Sequence, residues 1–301
     1  MSILEEIKTH FASLTDGLRE LTTVSQNYPA YSLRYNGEYG VAIDYSSDKE
    51  ISEESTNAKI STRKVNLAGG SQKKLLLLTC YDEEFRNEFA SLCVSFIKPG
   101  EEGELRESII NNPLAWWDRW IGLLGDRKSK KQCYNFIAEM IILHYLIKNG
   151  ENAVWAAQEK GSHDIECESV SFEVKSTIKK SDLTISISSQ HQLSSEKDLF
   201  LAFVRMEKSI EGVSVNDMER MLVNAGYENV LLSKQLEDFG FVKGSRIRDE
   251  KYKVLEIRKY TVDDSFPKIT KESFVNGVFP KSITKINYNI DLANIPFDPM
   301  E

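Results

Sequence analysis

Residues 163–177 read His163-Asp-Ile-Glu-Cys-Glu-Ser-Val-Ser-Phe-Glu-Val-Lys-Ser-Thr177. From Ser171 to Thr177 the residues alternate with the period of a strand. Phe172 and Val174 take one face, and Glu173 and Lys175 take the other. A short turn at Glu168-Ser169 folds Asp164–Cys167 back beside that strand as a hairpin, which brings Asp164 close to Glu173. Two carboxylates able to share a divalent cation, with an ammonium next to them, suit metal-assisted attack of water on a phosphodiester. A Glu-x-Lys on a strand is also a common solvated ion pair, so the surrounding sequence has to decide.

Upstream, 130–148 has a helical period, with Phe136, Met140, Leu143 and Ile147 as a core stripe widened by Ile137 and Tyr145. Glu139 stands among these apolar residues. A carboxylate there must reach a solvated edge or be held by a cation, because burying it alone is expensive. Asn149-Gly150 ends the helix. Residues 125–131, Gly-Asp-Arg-Lys-Ser-Lys-Lys, set Arg127, Lys128, Lys130 and Lys131 at the helix start. They read either as a solvated turn or as a phosphate-contacting patch. Downstream, 152–158 with Trp155 reads as a strand, 183–189 as another, and 199–206, almost continuously apolar, as the central one. Gln190 and Gln192 fall at the start of a short helix between the last two. Helices are predicted at 215–225 and 229–239, and a strand at 251–262. That order is compatible with a winged-helix-like unit or any small α/β appendage. A last strand is predicted within 282–291.

The first hundred residues read as a small α/β module. It comprises a helix over 3–21, a hairpin over 31–45 turning at Asn36-Gly37, an exposed loop over 46–57, strands at 59–66 and 73–80, and a helix over 82–96. Pro99–Gly103 has the composition of a linker. Trp116, Trp117 and Trp120 predict a buried joint between modules, with a base-stacking surface as the alternative.

The 301 residues carry a net charge of −8, which excludes a general polycation. By segment the charge is −6 over 1–112, +1 over 113–180 and −3 over 181–301. The only part that is not acidic holds the candidate site. Cys80, Cys93, Cys133 and Cys167 have no CxxC spacing and read as buried free thiols of a reducing cytosol. The first residues are amphipathic rather than signal-like. No apolar run is long enough for a membrane span, so the expected location is the cytoplasm.

In order, Glu139, Asp164, Glu173-Val174-Lys175 and Gln190/Gln192 resemble the PD-(D/E)XK nuclease superfamily. More specifically the chain resembles the bacterial "PD-(D/E)XK motif" proteins, which are often encoded beside restriction and phage-defence genes. Trp155 ahead of Ser162-His163-Asp164, the Ser-Gln-His-Gln-Leu at Ser189–Leu193, and Tyr260–Ile269 extend the likeness over roughly 113–291. His163 stands where the superfamily name expects proline, a position that varies widely. The resemblance implies an α/β (α+β) fold: a restriction-endonuclease-like mixed sheet flanked by helices, with an N-terminal module at 1–98, a core at 113–210 and a C-terminal helix-helix-strand extension at 211–301. It also implies Mg2+, with Mn2+ as a substitute, held by Asp164, Glu173 and the Val174 carbonyl. Glu139 would bind the metal's water shell or a second ion. Lys175 would activate the attacking water, and Gln192 and Gln190 would contact the scissile phosphate. A histidine ligand, His163 or His191, would favour softer ions.

The expected function is a DNA endonuclease of a restriction or phage-defence system, with an RNA nuclease as a weaker possibility. The rival is a non-catalytic DNA-binding or assembly subunit. Expected partners are DNA, a helicase/ATPase or methyltransferase subunit, and a second copy of the chain, since double-strand cutting favours a symmetric dimer. No phosphate-cradling GxxxxGK[ST] is present, so ATP use would need another chain.

Overall fold

The computed structural model describes residues 1–13, 15–55, 57–66, 72–120, 133–156, 163–278, 280 and 282–300. The chain divides into two compact units. One is Met1–Lys131 with Phe241–Arg246, and the other is Gln132–Gly240 with Ile247–Glu301.

The first unit is a six-stranded antiparallel sheet. Its strands are β1 (Gly17–Glu20), β2 (Ala30–Tyr35), β3 (Glu38–Asp44), β4 (Ser52–Glu54), β5 (Ala58–Asn66) and β6 (Gln72–Cys80), in the order β1-β2-β3-β6-β5-β4. Asn36 and Gly37 both have positive φ (52° and 81°), the mirror-image turn that asparagine-glycine favours between twisted strands. Along β6 the leucines alternate. Leu76 and Leu78 join the main core, whereas Leu75 and Leu77 pack with Tyr31, Leu33 and Ala42 in a smaller cluster. Helices α1 (Ile3–Ser13) and α2 (Arg86–Ile97) supply Ile7, Phe11, Phe89 and Phe96 to the main core.

Four sequence expectations differ from the structure of this unit. The first helix stops at Ser13, and Leu18 lies instead on β1, past the Asp16-Gly17 break. The polar stretch expected to loop out holds the edge strand β4 and the buried Ile51 and Ser55, 2% and 0% exposed; charged residues are common on edge strands. Trp116 and Trp117 are core residues of this unit rather than an exposed stacking surface. Helix α4 (Pro113–Trp120) places Trp116 and Trp117 in this unit's own core, where Trp116 meets Phe96 at 5.0 Å between ring centroids. The expected linker does not separate anything either. Arg106, on α3 (Glu104–Asn111), is buried and donates to the carbonyls of Pro29 (3.0 Å) and Ile97.

The segment Phe241–Arg246 completes the unit. Ser52 N–H donates to the Gly244 carbonyl (3.2 Å), and Arg246 pairs with Asp118 at 2.9 Å. Gly244 has φ +87°, and a Cβ there would lie 2.7 Å from the Glu50 carbonyl carbon. Gly244→Ala should therefore destabilise this unit by roughly 1–3 kcal/mol, the cost of a strained non-glycine position. Chemical denaturation followed by tryptophan fluorescence would measure the loss, and an unchanged midpoint would contradict it.

The second unit contains α5 (Cys133–Lys148), β7 (Val154–Trp155), β8 (Ile165–Glu166), β9 (Val170–Thr177), β10 (Thr184–Ile187), β11 (Asp198–Val213), α6 (Val215–Asn224), α7 (Asn229–Asp238), β12 (Tyr252–Thr261), β13 (Tyr288–Asp291) and β14 (Asp298–Pro299). Its main sheet runs β14-β12-β11-β9-β8-β7. The β9–β11 pair is parallel and the other pairs are antiparallel. This is the mixed sheet flanked by helices that the sequence predicts. The hairpin forms as read, with Cys167 N–H closing on the Val170 carbonyl (2.9 Å) and Ile165 opposite Phe172. β11 is central, and α5 is apolar on most of its faces, as a packed inner helix must be.

Two placements differ from expectation. β10 does not join the main sheet; it pairs with β13 in a separate two-stranded sheet. β12 is not part of a winged-helix appendage but hydrogen-bonds along β11, so the stretch expected as an extension at 211–301 builds part of the core sheet. The four cysteines are free and buried. Among the described residues no helix is long and apolar enough to cross a membrane.

Candidate active site

The site grows from the β8–β9 hairpin. Asp164 lies just ahead of β8, and its Oδ2 accepts the Val174 N–H at 2.7 Å. That bond fixes the Asp164 carboxylate against the peptide that follows Glu173. Two residues along the same face, Lys175 Nζ reaches Glu173 Oε1 at 2.7 Å. Glu173 is 3% exposed, so this is not the solvated pair that such a triplet usually forms. The strand lies between β8 and β11, and Phe172 on its opposite face stacks on Phe200 with centroids 5.3 Å apart. Burial on both faces is what sequesters the acid.

Glu139 reaches the same place from α5. Its Oε2 accepts the Trp155 indole N–H at 2.7 Å, and Trp155 is the β7 residue paired with Ile165. The Ala156 N–H donates to the Asp164 carbonyl at 2.9 Å. Trp155 is itself held from the α6–α7 connection and from α7. Its backbone N–H donates to the Tyr227 hydroxyl (3.2 Å), and its carbonyl accepts from Gln235 Nε2 (2.7 Å). Gln192 completes the set, donating its Nε2–H to Glu173 Oε1.

The expected helix start at Gln190–Gln192 is a turn, closed by Gln192 N–H on the Ser189 carbonyl at 3.1 Å. Gln190 does not accompany Gln192, because its Oε1 accepts the Ile286 N–H at 3.0 Å. His163 is buried beside Glu166 (3.4 Å), and His191 is exposed next to Gln190. Arg127, Lys128, Lys130 and Lys131 lie outside the described residues.

The electrostatics follow from the geometry. Burial is the main cause that raises Asp164, to about 7, and the neighbouring Glu173 charge adds to it. The Val174 N–H and Lys175 act in the opposite direction. Glu139 is raised well above the ordinary carboxylate range, first by burial and then by the Asp164 charge. Glu173 is raised by burial in spite of Lys175 and Gln192. Three acids thus share a low-dielectric space in which, among the described residues, the Lys175 ammonium offsets them.

Among the described residues no group of three or more His, Cys, Asp or Glu side chains is closed around a metal position. Glu173 is drawn to Lys175 and Gln192, and Glu139 to Trp155. Mg2+ does not require such a cage. It is commonly bound through one or two carboxylates and keeps several waters. Among the described residues, Asp164 Oδ1 and Glu173 Oε2 accept no hydrogen bond. A hard cation suits these two oxygens and would offset the repulsion that raises the acids.

The sequence reading missed Trp155 as the partner of Glu139, Tyr227 and Gln235 as the residues that hold Trp155, and Asn135, which accepts from Ser176 Oγ at 2.8 Å. Only the indole N–H requirement for a partner hinted at Trp155.

No curated protein and no solved structure matches the chain. One family profile matches over residues 16–293, nearly the whole length. The chain therefore belongs to the DUF4420 family, described as "Putative PD-(D/E)XK family member".

Proposed function

We propose that this chain is a divalent-metal-dependent endonuclease that hydrolyses DNA phosphodiester bonds in a restriction or phage-defence system. The observation that carries the reading is the convergence of Glu139, Asp164 and Glu173, all with raised proton affinity, around one ammonium. An acid cluster of this kind is costly to a fold and useful to a cation site.

Asp164 and Glu173 would hold Mg2+ or Mn2+, with the Val174 carbonyl as a third donor and Glu139 holding its water shell or a second ion. The bound ion supplies Lewis acidity and a more acidic water. Lys175, as an ammonium, orients the attacking water and offsets charge that builds on the phosphate. Gln192, hydrogen-bonded to Glu173, would donate to a phosphate oxygen or to that water. Trp155 is a positioning residue, acting through Glu139.

Incubating the full chain with plasmid DNA, phage DNA and RNA in Mg2+, Mn2+ or EDTA tests the proposal. Metal-dependent nicking of DNA supports it. Binding without cleavage in any metal favours a non-catalytic assembly subunit, and cleavage of RNA alone overturns the DNA assignment. Trp155→Phe keeps the ring packed near Phe136 and Phe239 but removes the donor to Glu139. It should weaken Mn2+ binding about tenfold, the lower end for loss of an outer-shell partner. Titration calorimetry would show this, and an unchanged affinity would remove Trp155 from the site's support.

A further inference from the structure

The turn that delivers Gln192 to Glu173 also walls a second hollow, of about 300 Å3, in which Gln190, His191 and Leu193 take part but Gln192 does not. Among the described residues three lysines line it, Lys197, Lys268 and Lys271, against one carboxylate, Glu272. On a chain with net charge −8 this is a local reversal of sign.

Lys197 is fixed at the wall by Glu166 (3.1 Å) and the Cys167 carbonyl (2.7 Å). The other two ammonium groups are not neutralised in this way. Lys268 forms no ion pair within 4 Å among the described residues. Lys271 has only a 3.8 Å approach to Glu272, and both side chains are about two-thirds exposed; such a pair contributes little. The Thr270, Ser194 and Ser195 hydroxyls add donors that an apolar ligand could not use. Ammonium groups with hydroxyl donors in a concave polar site suit a tetrahedral oxyanion, and lysine serves phosphate as a point charge.

We propose that this hollow binds a backbone phosphate of the nucleic-acid strand, beside the phosphate held at the carboxylate site. The assignment deepens the nuclease reading and rests on it for the nature of the polyanion. Gln190 and Gln192 are two residues apart and so at most about 7 Å apart along the chain. One short turn therefore contacts both positions, and seating the strand in the hollow sets the register of the phosphate near Glu173.

The test is binding of a 30-base-pair duplex to the full chain in EDTA over a series of salt concentrations, together with cleavage kinetics in Mg2+. The variant Lys268→Gln/Lys271→Gln should bind about tenfold more weakly. Its slope of log K against log salt should fall by about 1, since the one phosphate contact contributes about 0.9. In cleavage the loss should appear more in KM than in kcat, and Lys268→Arg/Lys271→Arg should restore most of it. A charge-matched control in the other unit, Lys8→Gln/Lys98→Gln, should leave the affinity near wild type.

Unchanged affinity and salt slope in the lysine-to-glutamine variant would overturn the subsite, even if the wild type cuts DNA. A wild type that binds with the expected salt dependence but cuts in no metal would overturn the nuclease reading and leave the subsite standing. A deoxynucleoside monophosphate that binds as tightly as the duplex, and loses that binding in the variant, would make the ligand a free nucleotide and overturn the backbone assignment. No binding to any nucleic acid would also overturn it.

Discussion

Asp164→Asn should abolish metal-dependent cleavage, lowering the rate at least about 10³-fold, well beyond the 10–100-fold cost of losing an outer-shell partner. The substitution is nearly isosteric. An asparagine carbonyl oxygen can still accept the Val174 N–H that Asp164 Oδ2 accepts at 2.7 Å, so the hairpin should keep its shape. What disappears is the negative charge that a hard cation needs. The same change removes a buried acid whose pKa is pushed up to about 7, so the metal-free variant should melt higher than the wild type at pH 8. Loss of activity with a raised melting temperature separates this outcome from misfolding. A variant that cuts at the wild-type rate would remove Asp164 from the mechanism.

The second large effect is on stability as a function of pH. Asp164, Glu139 and Glu173 all have folded pKa values above their unfolded values. Such groups bind protons more tightly in the native state. Their contribution to stability is complete below the unfolded value, near 4, and is lost as pH rises through the folded value. For Asp164 that window runs from about 4 to about 7. Acids with lowered values, such as Glu6 at about 2, titrate below the interval from 5 to 8; within it His10 and His144, lowered first by burial, act against the three raised acids and offset them in part. In EDTA the melting temperature should therefore fall between pH 5 and pH 8, by roughly 5–10 °C at about 2–4 °C per kcal/mol. Mn2+ should recover most of that loss at pH 8 and little of it at pH 5, because the ion competes with protons for the same oxygens. Scanning calorimetry in EDTA and in Mn2+ would measure both. A flat profile from pH 5 to 8, or equal stabilisation by Mn2+ at both ends, would contradict the site electrostatics.

Local pattern carried much of the fold. The alternation at Ser171–Thr177, the Asn36-Gly37 turn and the apolar run at 199–206 are short-range signals, and each produced the element it predicts. Long-range pairing was less legible. The alternation of Ile185 and Ile187 is real, but β10 pairs with β13 a hundred residues later, and nothing local names that partner. Trp116 and Trp117 were readable as buried, but the core that receives them was not, because Pro99–Gly103 looks like a linker while Arg106 ties the chain beyond it to the carbonyls of Pro29 and Ile97. At the site, Asp164, Glu173 and Lys175 were legible because one hairpin carries them. Glu139 was legible as an anomaly, a carboxylate among apolar neighbours. Its partner Trp155 was not, since the bond joins a helix to a strand through tertiary packing. The lysine-lined hollow draws on 190–199 and 262–272, and neither stretch looks basic by itself.

The central claim is that Asp164 and Glu173 together grip one divalent ion next to Lys175. Anomalous diffraction from crystals of the wild-type chain grown with Mn2+ at pH 8 tests this most directly. The expected result is a manganese peak bonded to carboxylate oxygens of both residues, about 2.0–2.2 Å from each in the range of such bonds, and missing from Asp164→Asn crystals. A peak that avoids one of the two carboxylates, or none there at saturating Mn2+, would contradict the account.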